Sequence, residues 1–417
     1  MRAKDRVRMA LNHEEPDRVP VDFGSTAVTG IHVRLVGLLR DHFGLEARPV
    51  KVIEPYQMLG EVDEELLDLL RIDTEPLIGH STIFGIQNRD WKPFQAPWGQ
   101  DLLVPADFQV SQAENGDLLF YPQGDRTAPP SARMPTGGYF FDTIIRQPPI
   151  DEDHLNPEDN LEEFTLLTDS DLDWYRAEAE RLKDSDRAIV LGTPGTAMGD
   201  IALVPAPFLK YPKGIRDISE WYITTAIRQD YVHAIFEKQT EIAIKNLELL
   251  KPILGDLVDA AFTCGTDFGT QTSQFCSTDV YEELYAPYYR KINHWIHQNT
   301  SWKTFKHSCG AVYPFMEHFI DSGFDIINPV QCSATDMEPK RLKEEFGDRL
   351  TFWGGGVDTQ HTLPFGTPDE VYREVRERID IFAPGGGFVF DTIHNAQANT
   401  PVENMVALFK AIHDASQ

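Results

Sequence analysis

From residue 186 onward, short apolar runs alternate with helical segments, and this alternation leaves the chain few folds to adopt. Ala188-Ile-Val-Leu-Gly-Thr is a buried strand followed by a Gly/Pro turn, and a long helix is predicted over 230–251. Asp256-Leu-Val-Asp-Ala-Ala-Phe-Thr, Trp302-Lys-Thr-Phe-Lys-His-Ser-Cys-Gly310, Asp325-Ile-Ile-Asn-Pro-Val, Leu350-Thr-Phe-Trp-Gly and Gly387-Phe-Val-Phe-Asp read as further strands. Helices are expected between them, one opened by Ser277 and running to about 298. Thr367-Pro-Asp-Glu carries a capping signature, with Thr at the N-cap, Pro at the first helical position and Glu at the third, and Thr400-Pro-Val-Glu repeats it. Short apolar strands separated by helices imply a parallel sheet covered on both faces.

The first 77 residues add to this pattern. Residues 3–12 carry helical spacing, Val19-Pro-Val-Asp-Phe-Gly24 suits a first barrel strand, and 30–43 and 58–71 read as amphipathic helices. Seven or eight parallel units favour a closed barrel over an open sheet, and no Gly-x-Gly-x-x-Gly follows the first strand. From about 80 to 150 the texture changes. Trp91, Trp98, Phe108, Phe120 and Tyr121 are spread among polar residues, punctuated by Glu114-Asn-Gly-Asp and Ala128-Pro-Pro-Ser. The expected fold is therefore α/β, a TIM-type (β/α)8 barrel with a β-rich insertion. Residues 1–417 form one domain, and 80–170 form an inserted lid or subdomain. A barrel of about 250 residues with insertions accounts for the length.

Charge narrows the partners. The 66 acidic and 38 basic residues leave a formal charge of −28, which repels phosphate backbones and anionic lipid. No apolar run is long enough to span a membrane, and no apolar core follows the N-terminal charges as in a signal peptide. The expectation is a cytoplasmic protein without nucleic-acid or membrane partners. Four cysteines, at 264, 276, 309 and 332, suggest ligands, nucleophiles or core filler rather than a disulfide framework.

Functional groups of a parallel barrel gather at the carboxyl ends of its strands. Those ends carry Asp267-Phe-Gly-Thr-Gln271, His307-Ser-Cys309, Asn328-Pro-Val-Gln331, Asp358-Thr-Gln360 and His394-Asn395. His307 and Cys309, two apart on a strand end, point to one face, and an imidazole beside a thiolate suits zinc. The same pair also describes a buried thiol beside a hydrogen-bonded histidine. His394 ends the last strand and is the third candidate ligand. Asp267 can serve as acid or base, hold a substrate amine, orient a metal-bound imidazole, or simply make an Asx turn. Gln271, Gln331 and Asn395 are candidates for substrate contact, and the glutamines equally suit loop packing. Cys264 and Cys276 read as core filler, and Cys332 as core filler or a spare ligand. The run Ala383-Pro-Gly-Gly-Gly387 precedes a strand and reads as a tight turn.

Three stretches resemble the uroporphyrinogen decarboxylase superfamily. They are Arg6-Val-Arg-Met-Ala-Leu-Asn-His-Glu-Glu-Pro-Asp-Arg-Val-Pro-Val, Lys306-His-Ser-Cys-Gly with Asp325-Ile-Ile-Asn-Pro-Val-Gln, and Trp353-Gly-Gly-Gly-Val-Asp-Thr-Gln on to Thr400-Pro-Val-Glu-Asn. The resemblance implies one of two chemistries. Decarboxylases of the superfamily carry a Met-Arg-Gln-Ala-Gly-Arg segment after the first strand, whose arginines bind substrate carboxylates. Here that stretch is Asp22-Phe-Gly-Ser-Thr-Ala-Val-Thr-Gly-Ile-His, without either arginine. The zinc methyltransferases carry His-x-Cys at a strand end and a later Cys six residues before the last Thr-Pro. His307 and Cys309 match the pair, and His394 occupies the later position.

The resemblance thus implies zinc held by His307, Cys309 and His394, with Asp267 and His394 as catalytic groups and Gln271, Gln331 and Asn395 near the substrate. The implied reaction is methyl transfer between a corrinoid protein partner and a thiol, tetrahydrofolate or methylated small molecule. The chain lacks Asp-x-His-x-x-Gly, so the corrinoid comes with that partner; a homodimer is compatible. The alternatives are a cofactor-independent decarboxylase of uroporphyrinogen or a related polycarboxylate, and a non-catalytic corrinoid or porphyrin binder.

Overall fold

A computed structural model describes residues 1–415. Its centre is a curled, wholly parallel sheet of seven strands: Thr74–Leu77 (β1), Ala188–Gly192 (β2), Val258–Cys264 (β3), Lys303–His307 (β4), Ile326–Asn328 (β5), Thr351–Trp353 (β6) and Phe388–Val389 (β7). The order of the strands in the sheet is their order in the sequence, from β1 to β7, each parallel pair joined by a crossover connection. The side-chain period of two divides the strands cleanly. Ala188, Val190, Ala260, Phe305, Ile326, Trp353 and Val389 form one buried inner cluster, while Ile189, Leu191, Ala261 and Ile327 join the layer shared with the helices. The helix Ala3–Leu11 sends Val7, Ala10 and Leu11 into the inner cluster. It plugs the end where the strands begin, so the chemistry gathers at the opposite end.

The expected first strand shrinks to a single residue. Val21 bridges Phe390 in parallel, its carbonyl accepts the Asp73 N–H, and Asp22 N–H donates to Phe390 O. Pro20 has no N–H to offer, and the Val21 N–H goes to the Asp73 carboxylate at 2.9 Å instead of a neighbouring strand. A ladder cannot propagate through those two residues. The structure therefore has seven continuous strands plus a bridge, where eight strands were expected.

The stretch from 80 to 150 is β-rich, as its composition predicts. It holds Lys92–Gln95, Asp101–Val104, Val110–Gln112, Leu118–Phe120, Ala132–Met134 and Asp142–Thr143 in two four-stranded sheets. The Glu114-Asn-Gly-Asp turn joins an antiparallel hairpin. Phe84, Phe108, Phe120 and Phe141 pack ring against ring beneath it. One sheet reaches outside the expected range by taking in Val50–Glu54 and Leu59–Gly60. Consequently the helix expected over 58–71 is confined to Glu64–Leu69, capped by Asp63.

Most helices follow their sequence signals. Thr367 and Glu370 make the full capping box, and Ser277 caps Thr278–Leu284. The second predicted box fails. The last helix is Val402–Asp414, and Pro401 occupies the N-cap with extended dihedrals, which leaves Thr400 one residue too early to cap. Among the described residues no helix is long and apolar enough to cross a membrane.

Candidate metal centre at the strand ends

The loops that follow β3 and β4 are fastened back to back. Phe268 N–H donates to Ser308 Oγ at 2.9 Å, and Ala311 N–H to Thr270 O at 2.8 Å. At Gly310, φ is +91° and a Cβ would stand 2.4–2.5 Å from the Gly269 and Thr270 backbone, so only glycine fits. Gln331 spans the same junction: its Oε1 accepts Gly310 N–H at 2.7 Å and its Nε2 donates to Gln271 Oε1 at 2.8 Å. Both glutamines thus bond to loop groups.

On this frame His307 is the last residue of β4 and Cys309 lies two beyond it, on the inner face. His394 arrives from the segment after β7. One donor atom from each of His307, Cys309 and His394 lies within 4.8 Å of the other two. The two imidazole rings meet edge-on at 5.6 Å, and Cys309 Sγ is 3.4 Å from His307 Nε2. Tetrahedral zinc with bonds of about 2.0–2.3 Å places its donors about 3.3–3.8 Å apart; the Cys309–His307 pair meets that spacing, and the set as a whole, within 4.8 Å, needs to close by at most about 1 Å to hold the ion.

The surroundings fit as well. His307 Nδ1 lies 2.6 Å from Asn328 Oδ1, and Asn328 Nδ2 donates to Trp353 O at 2.8 Å. The proton therefore sits on Nδ1 and the Nε2 lone pair faces Cys309. Burial pushes both His307 and His394 down to about 4, so both are neutral near pH 7. Burial and the neighbouring Asp267 charge push the Cys309 thiol well up; a bound cation reverses that effect.

Asp267 Oδ1 accepts the Cys309 N–H at 2.7 Å and stands 3.8 Å from His307 Nε2. Burial raises its carboxyl, opposed by the Cys309 N–H and by Lys306. Lys306 is fully buried on the outer side of β4, where its ammonium donates to Thr266 O and His307 O, both at 2.5 Å. Asn395 is fully buried and spends its amide within the protein, accepting from Gly30 N–H and donating to Ala27 O and Gln57 Oε1. Cys264 bonds to Tyr289 and Thr266 inside the core, and Cys332 packs against Val330 O.

Sequence reasoning missed several neighbours. Asn328 was visible only as a strand-end residue. Asp200 lies in the loop after β2, and burial pushes it up to about 7. The available signal was positional, since Asp200 also follows a strand end.

Residues 206–415 match the family model described as uroporphyrinogen decarboxylase (URO-D), and the chain belongs to that family. It is 23% identical over 214 residues to a methylated-thiol–coenzyme M methyltransferase of Methanosarcina mazei. That match covers 51% of this chain and 52% of the relative, so the chain spans about half the length of the curated relative it matches. A solved methyltransferase from Methanosarcina mazei superposes with a TM-score of 0.53 at 16% identity, over 99% of both chains. That likeness concerns the fold alone.

Proposed function

We propose that this chain is a zinc-dependent methyltransferase. It moves a methyl group between a corrinoid held by a partner protein and a thiol, tetrahydrofolate or methylated small molecule. The observation that carries this reading is the approach of His307, Cys309 and His394 to within 4.8 Å. The likeness to a Methanosarcina methylated-thiol–coenzyme M methyltransferase supports it. His307, Cys309 and His394 would hold the zinc, which would supply Lewis acidity and lower the proton affinity of a thiol presented to it.

The chain's own residues do the rest. Asn328 orients the His307 ring, and Asp267 holds the Cys309 backbone and offers its second oxygen to a proton or a substrate. Gln271, Gln331 and Asn395 serve the substrate by fixing the loops around it. In this reading the fold is a closed (β/α)8 barrel in which the Val21–Phe390 bridge stands where the eighth strand would run, and 80–170 is a lid beside its mouth.

The test pairs zinc stoichiometry with methyl transfer from methylcobalamin to a panel of thiols and tetrahydrofolate. His307→Ala and Cys309→Ala should abolish transfer in a folded protein, and His394→Cys should keep zinc. A decarboxylase predicts the reverse, with Cys309→Ala mattering little and His394→Cys damaging the reaction. Wild-type protein that takes no zinc and transfers no methyl group overturns the proposal.

A further inference from the structure

The two histidines of the triad are held differently. Asn328 orients the His307 ring, whereas among the described residues no side chain hydrogen-bonds to the His394 ring. The place of His394 is therefore set through its backbone. Its carbonyl accepts from Thr392 Oγ1, and the next residue, Asn395, is fully buried. Asn395 Oδ1 accepts the Gly30 N–H at 2.5 Å, and its Nδ2 donates to Ala27 O at 2.9 Å and to Gln57 Oε1 at 2.8 Å. Gln57 Nε2 donates to the same Ala27 carbonyl at 3.1 Å. The two amides and that carbonyl close a small ring of hydrogen bonds.

Gln57 brings a distant part of the fold to this ring. Its turn is pinned by Glu54, whose carboxylate accepts the Tyr56 N–H at 2.9 Å and the Gln57 N–H at 2.8 Å. Phe141 N–H, from the β-rich stretch, donates to Tyr56 O at 2.8 Å. The backbone repeats the connection. The sheet of Lys92–Gln95, Asp101–Val104, Val50–Glu54 and Leu59–Gly60 continues through the Leu59–His32 bridge to the Ile31–Ala396 bridge, two residues past His394. Gly60 N–H donates to Ile31 O, His32 N–H to Ala396 O and Ala396 N–H to Gly30 O, each at 2.9 Å. Within that ladder Gln57 is the side chain that reaches across to Asn395, and without it a buried amide N–H loses one acceptor.

We propose that Gln57 is a positioning residue for the metal site: acting through Asn395, it ties the accessory sheet to the segment that carries His394 and so sets where the third ligand stands. The inference rests on the metal-site reading above and gives the accessory sheet a part in it.

The experiment compares the full wild-type chain with Gln57→Met, which is close in size and removes both side-chain bonds. Gln100→Met is the control. Gln100 fastens the same sheet by donating to Val33 O at 2.9 Å and accepting from Trp98 Nε1 at 2.8 Å, with no bond to 394–396. Hydrogen exchange over residues 393–397 of the metal-free chain should quicken about fivefold or more in Gln57→Met, the loss of two hydrogen bonds, and stay unchanged in Gln100→Met. Zinc affinity, read by chelator competition, should fall about tenfold in Gln57→Met alone, as for other partners that orient a ligand. The absorption bands of the cobalt-substituted protein should shift in the same variant only. Unchanged exchange in Gln57→Met overturns the inference, as does faster exchange with wild-type zinc affinity, or an equal effect of Gln100→Met. A wild-type chain that takes no zinc removes the metal reading, while faster exchange in its Gln57→Met variant still supports the tie to His394, so the two fail separately.

Discussion

Replacing Asn328 with leucine removes two hydrogen bonds without opening much of a cavity, because the side chains are similar in size. Asn328 is fully buried, accepts from His307 Nδ1 at 2.6 Å and donates to Trp353 O at 2.8 Å. The substitution leaves a buried N–H and a buried carbonyl unpaired, at about 1–3 kcal/mol each, so about 2–6 kcal/mol of stability. That is a large share of the about 5–15 kcal/mol typical of a folded domain. The metal term is separate. Loss of the partner that orients a ligating histidine weakens metal binding about 10–100-fold, or about 1.4–2.7 kcal/mol. Thermal melts with and without zinc isolate it, since ligand stabilisation follows RT ln(1 + [L]/Kd). At fixed free zinc the zinc-induced stabilisation of Asn328→Leu should fall by that amount, while Asn328→Asp, which keeps an acceptor for Nδ1–H, should retain it. Wild-type zinc affinity in Asn328→Leu, read by competition with a chromophoric chelator, would refute the claim that Asn328 serves the centre.

Three other outcomes follow from the same geometry. In the metal-free chain His307 and His394 sit at about 4, below the ordinary value near 6.5, so the unfolded state binds more protons between those limits. The histidine share of stability should therefore fall as pH drops from about 6.5 to about 4, and the difference between wild type and His394→Gln in denaturant titrations separates it from the opposing carboxyls; a pH-independent difference would contradict it. Asp200 has the opposite sign: its folded value near 7 exceeds the ordinary 3.8, so its stabilising share is lost as pH rises towards 7. Asp200→Asn should gain on wild type progressively over that range, and a constant difference would exclude the raised carboxyl. Gly310→Ala should cost more than about 3 kcal/mol, because a Cβ meets backbone atoms at 2.4–2.5 Å in a left-handed conformation; an expressed variant with an unchanged Tm would show that the two loops are not locked.

What could be read from the chain alone followed from periodicity. The buried runs Ala188–Gly192 and Val258–Cys264 are strands at those residues, and the His307/Cys309 spacing put both side chains on one face. The approach of His394 needed only that β7 lie near the start of the sheet. Strand one was misjudged because the Val21 N–H is captured by Asp73, a partner 52 residues away that no local pattern reveals. The accessory sheet was under-drawn for a similar reason, since Val50–Glu54 pairs with Asp101–Val104 across a long loop. Asn328 and Asp200 acquire meaning only from tertiary neighbours, His307 in one case and the Gly265 turn in the other.

The most direct test of the central claim is X-ray absorption at the zinc edge on protein purified without chelator. The account predicts one zinc per chain, with one sulfur at about 2.3 Å and imidazole nitrogens at about 2.0–2.1 Å. The sulfur should disappear in Cys309→Ala. A shell of oxygens alone, two or more sulfurs in the substrate-free protein, or a sulfur that survives Cys309→Ala would contradict it.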